Sequence, residues 1–131
     1  MINLSWSING NLPDSGGNVD HPDWLIVSAK LNAVLGSAGS VGLETEDDNE
    51  KIRSLSVKAE SGAYLLTFGV ETSEGWTVRT YKNPNVAAPG QLVEILGDRW
   101  NTQAICSDEQ LVIRVFEEFF ETGDVASENL A

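Results

Sequence analysis

The sequence predicts an α+β fold, in which an antiparallel β-sheet of about five to six strands, connected as a meander, packs against two main helices. Three patterns support this prediction. Several segments alternate apolar and polar residues, two repeat apolar residues at spacings of three and four, and clusters of Gly, Asn, Asp and Pro separate them. A chain of 131 residues has the usual size of one domain, so we expect residues 1–131 to share one hydrophobic core.

The N-terminal part is predicted to form a strand, a loop and a helix. Apolar residues occupy every second position of residues 2–8, which is typical of a strand with one buried face. Residues 13–18 are rich in turn-forming types and are expected to be a surface loop. A helix is expected from about Pro22 to Leu35, because Pro22 suits the first turn and Gly36 suits the C-terminal cap.

The middle of the chain is predicted to form the meander. Residues 36–42 are small and are expected to be flexible, and an exposed acidic turn follows the next strand. A loop at residues 83–90 precedes the last strand of this part. The strands are expected at residues 41–45, 55–59, 64–72, 76–80 and 92–96.

The last predicted element is a strongly amphipathic helix. Ser107 is a candidate N-cap, Gln110 follows three residues later as in a capping box, and Gly123 supplies the stop. We expect the apolar face of this helix to pack on the sheet. That face consists of Leu111, Val112, Val115, Phe116, Phe119 and Phe120.

The charge of the chain indicates the kind of partner. Twenty Asp and Glu residues stand against eight Lys and Arg residues, which gives a net charge of −12 at pH 7. This field repels nucleic acids and anionic membranes and attracts a basic protein. We therefore predict a protein-binding module with no nucleic-acid and no membrane partner. The alternative is an acidic structural or adaptor domain whose charge serves only solubility.

No residues suggest a catalytic or cofactor-binding constellation, and we predict no enzymatic activity, no cofactor and no metal. His21 lies between Asp20 and Pro22 at a helix entrance, where nearby carboxylates could support a general base, and Cys106 precedes a helix N-terminus, which can lower the pKa of a thiol. A small cytoplasmic, hydrolase-like enzyme that uses His21 or Cys106 is therefore the alternative function. Residues 44–50 lack the spacing of an EF-hand, so a solvated turn is favoured over a cation site.

We expect a cytoplasmic location. Cys106 is the single cysteine, the first residues lack the pattern of a secretory signal, and no apolar run is long enough to cross a membrane. Among the aromatic residues, Trp6, Trp24 and Phe116 are expected in the core. Trp76 and Trp100 are expected to be partly exposed.

The C-terminal part resembles a known family. Residues 105–108, followed by the Phe-rich helix at residues 112–121 and the Phe-x-x-Thr-Gly ending at Gly123, are similar to the end of the Imm1-like immunity proteins of bacterial polymorphic toxin and contact-dependent inhibition systems. The pattern of residues 64–81 is compatible with the central strands of that family. The resemblance implies a small cytoplasmic α+β domain that binds a cognate toxin domain, often a nuclease, and blocks it stoichiometrically.

The resemblance and the charge together predict where the toxin binds. The protein would be a monomer or weak dimer that presents carboxylates to a basic toxin surface. The candidate contact residues are the acidic turn and the outer face of the last helix: Glu44, Glu46, Asp47, Asp48, Glu50, Glu117, Glu118 and Glu121.

Overall fold

The computed structural model describes residues 2–8, 16–83, 91–126 and 130. It shows the predicted α+β fold, a mostly antiparallel open sheet packed with two helices. The elements are β1 (Ile2–Ile8), β2 (Gly16–Asp20), α1 (Trp24–Leu35), β3 (Ala38–Glu46), β4 (Ile52–Glu60), β5 (Ala63–Thr72), β6 (Gly75–Thr80), β7 (Leu92–Ile95), β8 (Asp98–Asn101), a 3₁₀ turn (Thr102–Ala104), β9 (Ile105–Cys106) and α2 (Glu109–Thr122).

The main sheet has the strand order β2-β1-β3-β4-β5-β6. Strands β3 to β6 follow one another along the chain as antiparallel neighbours, so the predicted meander is confirmed. The short β9 pairs with the start of β5, on the edge that β6 occupies further along. Strands β7 and β8 form a separate hairpin.

The two faces of the main sheet differ in composition. One face, called here the inner face, carries the apolar positions of the strands, which are buried together with α1 and α2. Phe116 is fully buried, and Phe119 meets Phe68 of β5 with ring centroids 5.9 Å apart. The other face, called the outer face, carries mostly small and polar residues. The buried inner-face residues are Leu4, Val41, Leu43, Leu55, Val57, Ala59, Tyr64, Leu66 and Phe68.

The two helices run in opposite directions on the inner face. Trp24, the first residue of α1, packs on Phe120 near the end of α2, with ring centroids 5.6 Å apart. At the other end of α1, the hydroxyl of Tyr64 donates to the Leu35 carbonyl oxygen at 3.3 Å. The start of α1 and the end of α2 therefore lie at the same end of the molecule.

The predicted loop at residues 13–18 is wrong for its last part. Gly16, Gly17 and Asn18 belong to the edge strand β2, which pairs with β1. Side-chain amides join the pair on one face, where Asn3 donates to both Asn18 and Asp20 at 2.7 and 2.8 Å, and the Trp6 ring lies on Gly17 on the other face. Residues 9–15, which include the rest of the predicted loop, lie outside the described residues.

The helix boundaries differ from the predictions by one or two residues. Helix α1 begins at Trp24, since Asp23 is its N-cap and accepts from the Ile26 N–H at 2.9 Å. Gly36 is its C-cap, as predicted, but β3 already begins at Ala38, so the flexible segment expected at residues 36–42 is wrong.

The N-cap of α2 is Asp108 and not Ser107. The Asp108 carboxylate accepts from the N–H groups of Gln110 and Leu111, at 3.0 and 3.2 Å, which replaces the predicted capping box. Gly123 ends the helix in the left-handed conformation with φ of 74°, as predicted.

The β7–β8 hairpin covers the outer face near the start of β5. Ile95 is fully buried there, and Leu65 of β5 is buried as well. The Leu96 N–H donates to the Glu60 carboxylate at 3.3 Å, and the Lys58 ammonium lies 5.7 Å from the ring centroid of Trp100. The strand predicted at residues 92–96 thus ends one residue early, and most of the predicted loop at 83–90 lies outside the described residues.

Candidate partner-binding surface

Topology gathers several turns and helix ends at one end of the molecule. The β3–β4 and β5–β6 turns lie there, because successive hairpins of an antiparallel meander share alternate ends. The end of α2 joins them, since an Arg53 guanidinium nitrogen at the start of β4 donates to the Gly123 carbonyl oxygen at 3.5 Å. The start of α1 lies at the same end, because the His21 N–H donates to the carbonyl oxygen of Ile2, and Ile2 pairs with Thr45 near the end of β3.

Carboxylates concentrate at this end, which is called here the acidic end. Three basic residues lie beside it: Lys51 in the β3–β4 turn, and Arg53 and Arg79, which Asp124 holds with N–O distances of 3.3 and 3.8 Å. Most of its other acidic residues are exposed. The acidic end consists of Asp20, Asp23, Glu44, Glu46, Asp47, Asp48, Glu50, Glu71, Glu74, Glu117, Glu118, Glu121 and Asp124.

The structure brings the two predicted acidic patches together at a groove of about 450 Å³. Glu46 and Asp47 come from the end of β3, and Glu121 comes from the last turn of α2. Ile2, Thr45, Arg53, Phe120, Thr122 and Gly123 complete the lining. The acidic turn at residues 44–50 and the last turn of α2, which are far apart in the chain, therefore form one acidic rim.

The remaining predicted contact residues lie at the acidic end, on both sides of the sheet. Asp48 and Glu50 are exposed in the β3–β4 turn, and Glu117 is exposed one turn before Glu121 on α2. Glu44 is exposed on the outer face. Glu118 is half-buried and has a structural contact, because its carboxylate accepts from the Ala126 N–H at 3.2 Å.

Asp47 fixes the conformation of the acidic turn. Its Oδ1 accepts from the N–H groups of Asn49 and Lys51, both at 2.9 Å. The hydrogen bond from Lys51 lowers the pKa of Asp47 below the usual value of 3.8, with further contributions from Asn49 and Arg53. The turn thus presents its neighbouring carboxylates from a backbone that these hydrogen bonds order.

Sequence reasoning missed part of the acidic end. Glu71 and Glu74 flank the β5–β6 turn, and Asp20 and Asp23 flank the start of α1. The available signal was the meander itself, because the turn at residues 73–74 must lie at the same end as the turn at residues 47–50 once the strands pair in order.

The two residues of the enzyme alternative lie far from each other. His21 is exposed before the first residue of α1, whereas Cys106 pairs with Tyr64, which contacts the last residue of α1. A 12-residue helix separates them by roughly 18 Å. Cys106 is fully buried, and this burial raises the pKa of its thiol. The thiolate is therefore disfavoured, and neither residue lines the groove at the acidic end.

Two further observations concern metals and membranes. Within residues 2–8, 16–83, 91–126 and 130, no three His, Cys, Asp or Glu side chains are placed to hold one metal ion. No helix in that part of the chain has the length and apolar character needed to cross a membrane.

Fold and surface together define a small α+β domain with an open antiparallel sheet and one acidic end. The chain belongs to a family of unknown function (DUF6911), whose sequence profile matches residues 5–130. Its fold is similar to the crystal structure of a hypothetical protein from Neisseria gonorrhoeae, with a TM-score of 0.65 and 18% identity over 96% of this chain and 90% of that one. None of the curated proteins matches the sequence.

Proposed function

We propose that this protein is a cytoplasmic immunity protein that binds and neutralises a cognate bacterial toxin domain, of a basic, nuclease-like kind, by stoichiometric occlusion. The observation that supports this most is the concentration of carboxylates at the acidic end, which is a one-sided field and not a uniform coat. Acidity that serves only solubility has no need of such an arrangement.

The physical basis is the resemblance of carboxylates to phosphates. A nuclease binds its substrate in a cleft lined by Lys and Arg, and carboxylates of an inhibitor can occupy the same positions. Complementary fields raise association rates by about 10- to 1000-fold. The net charge of −12, directed through one end of the molecule, is suited to this task.

Carboxylates near the end of α2 lower the stability of the folded protein. Helix α2 has no basic residue in its last turn, where the negative end of the helix dipole lies, and carries the exposed Glu121 there. Glu117 and Glu121 are one turn apart, so they repel each other. Carboxylates in unfavourable positions are expected where binding requires them.

Co-expression tests the proposal. A toxin gene immediately upstream of this gene is expected, and its C-terminal domain should be tolerated by cells only when this protein is present. The two should also elute from a sizing column as a stoichiometric complex. Cells that die despite co-expression, together with no complex on the column, would exclude the immunity function.

Charge variants test the surface. Asp48→Asn with Glu50→Gln removes two charges from the acidic end, whereas Glu94→Gln with Asp98→Asn removes two from the β7–β8 hairpin near the opposite end. The first pair should slow association at low salt and flatten its salt dependence. The second pair should change the rate much less. Equal rates for the two variants would remove the β3–β4 turn from the interface.

A further inference from the structure

On the outer face of the sheet, a strip of small residues is bordered by Glu44, by Trp76 and Val78, and by the β7–β8 hairpin. Strand register places Glu44, Ser54, Gly69 and Val78 in one row across β3, β4, β5 and β6. Neighbouring rows add Ser56 to the floor and the pair of Glu71 and Trp76 at the side nearest the acidic end. This surface, called here the outer trough, consists of Glu44, Ser54, Ser56, Gly69, Glu71, Trp76 and Val78.

The dimensions of the outer trough suit a single protruding element of a partner. Neighbouring strands lie roughly 4.8 Å apart, so Glu44 on β3 and Val78 on β6 are about 14 Å apart across the floor. The floor residues Ser54, Ser56 and Gly69 are small. The β7–β8 hairpin closes the side remote from the acidic end, where it covers Lys58 and Leu65. Because the Trp76 ring covers Gly69, the open part of the floor is narrower than this span, and a loop or an extended segment fits it.

One wall of the outer trough is an exposed aromatic and apolar surface. Trp76 is 53% exposed and Val78 is 50% exposed, on a strand that no described residue pairs with on its other side. The Trp76 ring lies directly on Gly69, so closely that a methyl group at Gly69 would overlap it. Glycine at this position therefore lets the ring lie flat on the sheet in a fixed orientation. A preordered, half-exposed Trp is a frequent anchor of binding energy.

We propose that the outer trough receives an arginine-bearing segment of the toxin domain, which rests on the proposed immunity function. An Arg side chain can stack on the Trp76 ring while its guanidinium pairs with Glu71, and a second cation can reach Glu44 on the opposite wall. Charge complementarity excludes a second copy of this chain as the occupant. A copy would bring its own Glu71 and Glu74 against the same residues here.

The outer trough and the helix carboxylates then have different tasks. Glu117 and Glu121 belong to α2, which packs on the inner face, so the sheet separates them from Trp76. They act at long range and accelerate encounter, whereas Trp76 and Glu71 hold the bound partner. Variants of the first kind change the association rate, and variants of the second kind change the dissociation rate.

A peptide titration tests the outer trough without any toxin. The ¹⁵N-labelled protein is titrated with hexa-arginine at low salt, and the largest shifts are expected at the Trp76 indole N–H and at the amides of Ser54 and Gly69. Trp76→Ala should weaken peptide binding by about three-fold, as the loss of an exposed cation–π contact implies. Leu25→Ala is the matched control, since Leu25 is 79% exposed on α1, beyond the sheet. Largest shifts along α2, or shifts spread evenly over the acidic residues, would overturn the proposal.

A second experiment measures the dissociation rate of the complex with the toxin domain. Glu44→Gln with Glu71→Gln and Glu117→Gln with Glu121→Gln have the same net charge, so their difference reports position alone. The first pair and Trp76→Ala should increase the dissociation rate, by about 30-fold for Trp76→Ala. If the toxin binds and Trp76→Ala behaves as Leu25→Ala does, the outer trough is excluded and immunity stands. If no toxin binds the wild type, the immunity function fails and the peptide titration alone decides whether the outer trough takes arginine.

Discussion

Replacing Glu121 with Gln is expected to stabilise the protein, although it removes a carboxylate proposed to attract the toxin. Glu121 is exposed in the last turn of α2, where the dipole is negative and no basic residue offsets it. A carboxylate at this end of a helix costs about 0.3–1 kcal/mol, and repulsion from Glu117 adds about 0.2–0.5 kcal/mol. Glu121→Gln should therefore raise the free energy of unfolding by roughly 0.5–1.5 kcal/mol at low ionic strength.

Urea denaturation measures this gain. With a urea dependence of about 2 kcal/mol per molar, the midpoint should rise by roughly 0.3–0.8 M. Glu109→Gln is the matched control, because Glu109 lies in the first turn of the same helix, where a carboxylate is favourable. Both variants relieve the same net charge, so the difference between their midpoints reports the position of the charge on the helix, through the dipole and the repulsion from Glu117.

The reasoning fails if the two variants shift the midpoint equally. It also fails if the gain of Glu121→Gln persists at an ionic strength of roughly 1 M, where the screening length is about 3 Å. Either result would mean that Glu121 has no electrostatic cost to stability, which would contradict an unfavourable placement of charge in the last turn of α2.

Three further predictions concern single residues. Gly123→Ala should lower the free energy of unfolding by about 1 kcal/mol, because Gly123 has φ of 74°, and an unchanged urea midpoint would contradict this. Because the pKa of Asp47 is lowered in the folded state, its ionised carboxylate contributes stability that is fully present above about pH 4 and is lost as the pH falls through the folded-state pKa. Asp47→Asn should therefore lose less stability on acidification than the wild type, and parallel acid-denaturation curves would contradict this. Because burial raises the pKa of the Cys106 thiol, a disulfide reagent at about pH 8 should modify it only on unfolding, and rapid modification of the folded protein would contradict this.

The fold follows from periodicity wherever one face of an element is buried. The alternation at residues 55–59 and 64–72 places the strands β4 and β5 correctly, because each buries every second side chain on the inner face. Strand β2 was not predictable in this way. Gly16–Asp20 is an edge strand that holds its place through Asn3, Asn18 and Asp20, and its sequence has the composition of a turn.

Helix ends were predictable to within two residues. Ser107 and Asp108 are adjacent and both are good N-caps, so the sequence alone does not decide between them. The structure selects Asp108 because Ile105 and Cys106 pair with β5 as β9 before the helix begins. Such a two-residue strand has no sequence pattern of its own.

The candidate site was predictable in its residues but not in its assembly. The sequence marks the carboxylates of residues 44–50 and of the last helix, yet only the antiparallel order of the helices brings Asp47 and Glu121 to one groove. The outer trough was less accessible still. Glu44 and Val78 share a row only through the pairing of β3, β4, β5 and β6 in that order and register. Strand order is a property of the whole fold and cannot be read from either residue's neighbours in the sequence.

Hydrogen–deuterium exchange on the complex with the toxin domain is the most direct test of a binding role for the acidic end. The toxin should slow exchange in the β3–β4 turn and in the β5–β6 hairpin around Trp76, while the β7–β8 hairpin exchanges as in the free protein. Protection confined to the β7–β8 hairpin and the β4–β5 turn would contradict it.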